Sequence, residues 1–183
     1  YGREKWKTDY RNLLESIMIL AQGKVDYFVV LNEVRWLYYN PDFQSYLIGL
    51  FNLARSYGFQ TGVSFNRADA WNANAPENMW INDNIDCYFV NLYTQISSKM
   101  EKTNLLDSVD GWNASLREVK LLKGLRNKKV IVSETGVKDY WECLYWPEKW
   151  NLPVQKPSHG MSAYIYLYGM FNSLLQYYID EVW

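Results

Sequence analysis

Apolar residues early in the chain recur with the helical period: Trp6, Tyr10, Leu13, Leu14, Ile17, Met18 and Ala21. That spacing predicts an amphipathic helix, with Gly23 as its stop. Residues 25–31 (VDYFVVL) are β-branched or aromatic almost throughout. Such a run suits a strand buried on both faces, and it ends at Asn32-Glu33. Asn40-Pro41-Asp42 then offers a capping residue followed by Pro at the first helical position. The helix it opens carries a stripe of Phe43, Tyr46, Leu47, Leu50, Phe51 and Ala54 and stops near Gly58. Residues 59–65 (FQTGVSF) read as a second strand ending at Asn66.

Residues 67–84 are irregular and rich in Asn, Ala and Trp, with a short helix predicted from Pro76 toward Ile81. Residues 85–92 (IDCYFVNL) form a third apolar strand, followed by Tyr93. A helix centred on Trp112, Leu116, Val119 and Leu122 leads to a fourth strand at 130–132. That strand ends in Ser133-Glu134-Thr135-Gly136. A long aromatic loop fills roughly 137–157. Ser158 is then expected to cap a final helix running to about Tyr178. This helix is apolar nearly all round, so it should be covered on several sides. Glu181-Val182-Trp183 read as the first steps of a fifth strand. Strands alternating with helices imply an α/β fold with a parallel sheet and right-handed crossovers. No internal repeat or linker interrupts residues 1–183, which are read as one domain. Two architectures fit: an open doubly wound sheet, or part of a closed eight-stranded barrel.

Composition narrows the function. Nineteen basic and 20 acidic residues leave a net charge of −1. No broad field attracts nucleic acid or an anionic membrane, so neither is expected as a partner. Cys87 and Cys143 are too few for a disulfide scaffold and read as two thiols. With His159 as the single histidine, a zinc site lacks ligands. Neither a metal nor a cofactor is expected, since no phosphate-cradling glycine loop is present. The first residues are polar and carry no leader-like apolar core. The triplet Asn113-Ala114-Ser115 is a glycosylation pattern common by chance, which leaves a secreted location open. Nine Trp and 16 Tyr supply many flat faces for stacking, on sugar rings or bases as well as in a core.

Polar residues gather where the strands end: Asn32 and Glu33, Ser64 and Asn66, Asn91 and Tyr93, Ser133 and Glu134. In parallel α/β folds that edge binds ligands. Two carboxylates there permit general acid/base chemistry, or a nucleophile working with an acid/base. A lone Glu after a strand also serves as a charge favoured by the following helix N-terminus. The pair, in Asn-Glu and Ser-Glu-Thr-Gly contexts, points to function.

In these motifs the chain resembles the clan A retaining glycoside hydrolases, which are (β/α)8 barrels. LNEVRW matches the Asn-Glu pair that ends their strand four. IDCYFVNLYT is similar to strand six, with an Asn-x-Tyr element at Asn91 and Tyr93. KKVIVSETG matches strand seven. The resemblance implies Glu33 as acid/base and Glu134 as nucleophile, with carboxyls about 5–5.5 Å apart. It implies Asn32 on the sugar 2-hydroxyl and Tyr93 holding Glu134. Asn66 and Ser64, ending strand five, are expected subsite contacts. Trp183 falls where a strand-eight Trp platform lies under the sugar. Trp36 and Trp141 are expected to line subsites more than Trp71, Trp80, Trp146 or Trp150. The reaction implied is hydrolysis of β-glycosidic bonds in a poly- or oligosaccharide, the carbohydrate being the substrate partner. The rival reading is a non-catalytic carbohydrate-binding or degenerate barrel fragment. An open-sheet hydrolase with coincidental Glu positions is a further rival.

On this match the chain runs from the helix before strand four to the start of strand eight. A complete barrel takes roughly 250 residues. Strands one to three are therefore expected on a companion segment or chain.

Overall fold

The computed structural model describes residues 2–33, 37, 40–67, 70, 79–97, 103–138, 140–145, 147, 155, 157–175 and 181–182. The chain divides into two units, Tyr1–Phe89 and Val90–Trp183.

In the first unit the elements are α1 (Arg3–Ala21), β1 (Tyr27–Asn32), α2 (Pro41–Ser56), β2 (Gln60–Asn66), α3 (Met79–Asn84) and the start of β3 (Cys87–Asn91). The strands lie in the order β1-β2-β3. β1 and β2 are parallel, with Tyr27 opposite Gln60, Phe28 opposite Thr61, Val29 opposite Gly62 and Asn32 opposite Ser64. Parallel neighbours need a crossover, and α2 supplies it. The Asn40 side chain accepts from the Asp42 amide at 3.1 Å, with Pro41 at the helix start, as the sequence predicts. The apolar face of α2, with Phe43, Leu47, Leu50, Phe51 and Ala54, is buried.

The first strand is less enclosed than its apolar sequence suggests. It begins at Tyr27, Val25 is exposed, and Tyr27 and Val29 are only half-buried. β1 is the outer strand of its unit, with a neighbouring strand on one side. α1 buries Leu14 and Met18 but leaves Leu13, Ile17 and Leu20 exposed along one line. Tyr10 ties α1 to the sheet by donating to the Val30 carbonyl at 2.7 Å. Tyr46 of α2 donates to the Lys7 carbonyl at 2.8 Å. Trp6 stacks on Tyr10 and meets Phe43 edge-on. Gly62 has no room for a side chain, because a Cβ would run into the Cys87 carbonyl and the Phe89 ring.

In the second unit β3 is followed by α4 (Leu105–Arg126), β4 (Lys129–Glu134), a 3-10 helix (Trp141–Leu144), α5 (Met161–Leu174) and β5 (Glu181–Val182). The strands lie in the order β3-β4-β5, and β5 pairs parallel to β4. α4 opens on a reciprocal cap. Asn104 accepts from the Asp107 amide at 2.9 Å, and the Asp107 carboxylate accepts from the Asn104 amide. Trp112, Leu116, Val119 and Leu122 are buried, the stripe read from the sequence. Asn127 in the left-handed region ends the helix. Asn113 and Ser115 of the glycosylation triplet lie inside this helix, Ser115 buried. Cys87 of the first unit and Cys143 of the second are buried thiols.

The last helix departs from expectation in two ways. It starts at Met161 after Gly160, a glycine at φ +84°, and not directly after Ser158. The Ser158 hydroxyl still accepts from the Ser162 amide at 3.0 Å, satisfying one donor of the first turn. The described helix ends at Leu174, and Tyr178 lies outside the described residues. It is also not covered all round. Ile165, Tyr166, Gly169 and Met170 are buried, but Tyr164, Leu167, Phe171 and Leu175 are exposed, Phe171 to 60 % and Leu175 to 84 %. Its main neighbours among the described residues are α4 and the 3-10 helix. α4 and α5 approach closely at Gly169, where a Cβ would collide with Ser108. There the Ser108 hydroxyl donates to the Ile165 carbonyl and Trp112 Nε1 donates to the Tyr166 carbonyl at 2.9 Å.

Candidate active site

Each unit brings polar residues to the C-terminal ends of its strands. In the first, β1 ends at Asn32 and β2 at Asn66. Glu33 follows β1, and its amide donates to the Ser64 carbonyl at 2.9 Å. This hydrogen bond extends the pairing of β1 with β2 by one residue. Glu33 then takes φ +51°, the left-handed region. For a residue with a Cβ that conformation costs about 1–2 kcal/mol, and such strain collects at functional positions. Asn32, Glu33 and Asn66 are exposed, whereas the Ser64 side chain is buried.

In the second unit the ends of β3 and β4 are bonded together at successive positions. Asn91 Oδ1 accepts from the Ser133 hydroxyl at 2.8 Å. The Leu92 amide donates to the Glu134 carbonyl at 2.8 Å. The Tyr93 hydroxyl donates to Glu134 Oε2 at 2.8 Å. Thr135 Oγ1 donates to the Leu92 carbonyl at 2.7 Å. Glu134 is exposed and Tyr93 half-buried, so the pair faces solvent where the two strand ends are bonded. Tyr93 and Glu134, paired in the expectation, thus form one cluster with Asn91 and Ser133.

Beneath it lies Tyr166 of α5, fully buried. Its hydroxyl accepts from the Thr94 amide at 2.9 Å and lies 3.0 Å from Thr135 Oγ1. Burial pushes this hydroxyl up from its ordinary pKa, while the Thr135 and Thr94 hydrogen bonds pull the other way. It stays neutral at working pH. Tyr166 was not singled out by its sequence, where it sits in an apolar helical run. The signal was a tyrosine on the buried line of that helix, since a buried phenol needs a polar partner.

Trp141 opens the 3-10 helix and is half-buried. The Leu144 carbonyl of that turn accepts from the amides of Ile96 and Ser97, at 2.7 and 3.0 Å. Trp80 lies on α3 and not in a loop. Trp36, Trp71, Trp146, Trp150 and Trp183 lie outside the described residues. Among the described residues no three His, Cys, Asp or Glu side chains gather where a metal ion could sit. Among the same residues no helix is long and apolar enough to cross a membrane.

No protein-family model matches the chain, and no curated protein does. Solved structures do. A GH113 β-1,4-mannanase matches over 99 % of this chain and 52 % of its own, at 16 % identity and a TM-score of 0.73. The GH113 β-mannanase of Alicyclobacillus acidocaldarius, solved in complex with ManMIm, matches over 98 % and 51 %, at 13 % identity and a TM-score of 0.66. The β-D-glucuronidase of Dictyoglomus thermophilum matches over 96 % and 28 %, at 14 % identity and a TM-score of 0.62. These proteins are (β/α)8 barrels. The chain thus has an α/β fold of parallel strands that makes up part of such a barrel. It spans about half the length of the mannanases it matches.

Proposed function

We propose that residues 1–183 form the C-terminal part of a single catalytic barrel domain, a retaining β-glycoside hydrolase. On this reading β1 to β4 are barrel strands four to seven and β5 begins strand eight. The observation that carries it is the Tyr93 hydroxyl on Glu134 Oε2 at the end of β4. That hydrogen bond leaves one carboxylate oxygen oriented and the other available to attack. The mannanases, the glucuronidase and the fungal β-1,4-galactanases among the similar structures support the same class.

The chemistry follows from two carboxyl groups with different duties. Glu134, ionised, attacks the anomeric carbon as the glycosidic bond breaks. Glu33, protonated, gives its proton to the departing oxygen. The glycosyl–Glu134 ester is then hydrolysed by a water that loses its proton to Glu33, restoring both groups. Asn32 holds the sugar 2-hydroxyl, a contact that strengthens in the transition state. Tyr93 fixes the Glu134 carboxylate, and Asn66, Trp36, Trp141 and Trp183 contribute sugar contacts. Neither a metal nor a cofactor has a part in these steps.

A companion segment supplies strands one to three. The uncovered apolar lines of α1 (Leu13, Ile17, Leu20) and α5 (Tyr164, Leu167, Phe171) support this, because exposed apolar stripes mark docking faces. The half-length span favours one competing reading, a non-catalytic carbohydrate-binding fragment. The full-length protein separates them. Hydrolysis of β-1,4-mannan or β-1,4-galactan, with a fluorosugar adduct located on Glu134 by mass spectrometry, is expected. Sugar binding without turnover or adduct would establish the competing reading.

A further inference from the structure

We infer that Tyr166 and Thr135 are positioning residues that hold Tyr93, and through it Glu134, in register. The inference rests on the catalytic reading of Glu134 given above. It is carried by a directed chain of hydrogen bonds around Tyr93. A carbonyl only accepts, so the single Thr135 hydroxyl hydrogen is committed to the Leu92 carbonyl at 2.7 Å. Thr135 Oγ1 must then accept in its 3.0 Å contact with Tyr166, whose phenol hydrogen points to it. The Leu92 carbonyl, at 3.5 Å from the phenol, is the poorer acceptor. The phenol oxygen is left to accept from the Thr94 amide at 2.9 Å.

The order of donation is therefore Thr94 N–H to Tyr166, Tyr166 to Thr135, Thr135 to the Leu92 carbonyl. It begins one residue after Tyr93 and ends one residue before it. Both peptide groups that flank Tyr93 are pinned from below, and the Leu92 amide is pinned to the Glu134 carbonyl as well. The backbone that carries Tyr93 is thus fixed on both sides, which sets where its side chain starts toward Glu134. Tyr166 and Thr94 are fully buried, so water does not compete for the bond between them, and the bonds of Thr135 are part-buried. Tyr166 touches no reacting atom. Its effect passes through the backbone of residues 92–94, and a shift there of about 1 Å is enough to cost on the order of 100-fold in rate.

The test uses the full-length protein and three variants. Tyr166→Phe removes the phenol, Thr135→Val removes the hydroxyl at constant shape, and Thr135→Ser keeps the hydroxyl. The substrates are 4-nitrophenyl β-glycosides of mannose, glucose and galactose. Tyr166→Phe and Thr135→Val are expected to lower kcat about 10- to 100-fold with KM unchanged, and Thr135→Ser to restore it. A second readout needs no turnover: the 13Cζ resonance of Tyr93, which reports the hydrogen bond of its hydroxyl. It should move in Tyr166→Phe and Thr135→Val and stay in place in Thr135→Ser. A Tyr93 resonance unchanged in Thr135→Val and in Tyr166→Phe would overturn the inference, even if melting temperatures fell. A resonance that moves in a protein without hydrolytic activity would support the positioning role while removing the catalytic reading. If Tyr166→Phe does not fold, the Thr135 pair decides alone.

Discussion

Two glutamates follow strands in this chain, and they are held in different ways. Glu134 has a side-chain partner: Tyr93 on its carboxylate, with Ser133, Leu92 and Thr135 bonding the two strand ends around it. Glu33 is aimed by its backbone, an amide bonded to Ser64 and a left-handed φ of +51°. The difference suits the two duties proposed. A nucleophile must keep one oxygen aligned throughout bond formation, and a hydrogen bond on the other oxygen does that. An acid/base must deliver and accept a proton at one place, and a fixed backbone conformation sets that place.

The comparison can be broken or sharpened by substitution. Glu134→Gln should lower kcat by more than about a thousandfold, as expected for loss of a covalent nucleophile. Sugar binding, followed by calorimetry, should persist. Glu33→Ala should cost about 10²- to 10⁴-fold, and azide should restore turnover as a β-glycosyl azide. A β-azide from a variant at position 134, or an α-azide from Glu33→Ala, would exchange the two roles. Tyr93→Phe deletes one charge-assisted hydrogen bond at a solvent-facing site, for an expected loss of about tenfold in kcat.

Stability should reveal the backbone side of the contrast. Replacement by Gly ordinarily destabilises by about 0.5–1 kcal/mol relative to Ala. At position 33 the sign should reverse, with Glu33→Gly at least as stable as Glu33→Ala in urea titrations, because only Gly escapes the left-handed strain. At position 134 the ordinary sign should hold.

The smallest effect concerns the hydroxyls of the first unit, which anchor scaffold and not rim. Tyr46 is pushed up to about 12, mainly by burial, then by Tyr10, with Arg11 opposing. Its folded pKa lies above the unfolded value near 10. The Lys7 bond therefore contributes fully below pH 10 and is lost as pH rises from about 10 through 12. Fluorescence of Trp6 should report loosening of α1 from α2 in that window, and Tyr46→Phe should abolish the transition.

Much of this was legible in the amino-acid order. The cap at Asn40 and the stripe of α4 follow from local rules, and so does the gathering of polar residues at strand ends. What was not legible depends on neighbours. VDYFVVL reads as enclosed because its residues are apolar, yet Tyr27 and Val29 are half-buried in an outer strand. The last helix reads as covered on several sides, yet Tyr164, Leu167, Phe171 and Leu175 are exposed. Gly160 displaced Ser158 as the helix start because a glycine in the left-handed region turns the chain two residues later. Tyr166 was missed for the opposite reason. A helix read as apolar nearly all round gives no sign of which tyrosine turns its hydroxyl inward.

The glycine where α4 and α5 touch acquires a different meaning in this light. Gly169 lies one helical turn beyond Tyr166, on the same helix. Its missing side chain lets Ser108 and Trp112 grip the carbonyls of residues 165 and 166. It acts as a spacer, setting how far the phenol reaches toward the strand ends. One methyl group added there would lift the phenol away from Thr94 and Thr135. The edge proposed to be catalytic would then have a tolerance set at a helix crossing, away from the strand ends themselves.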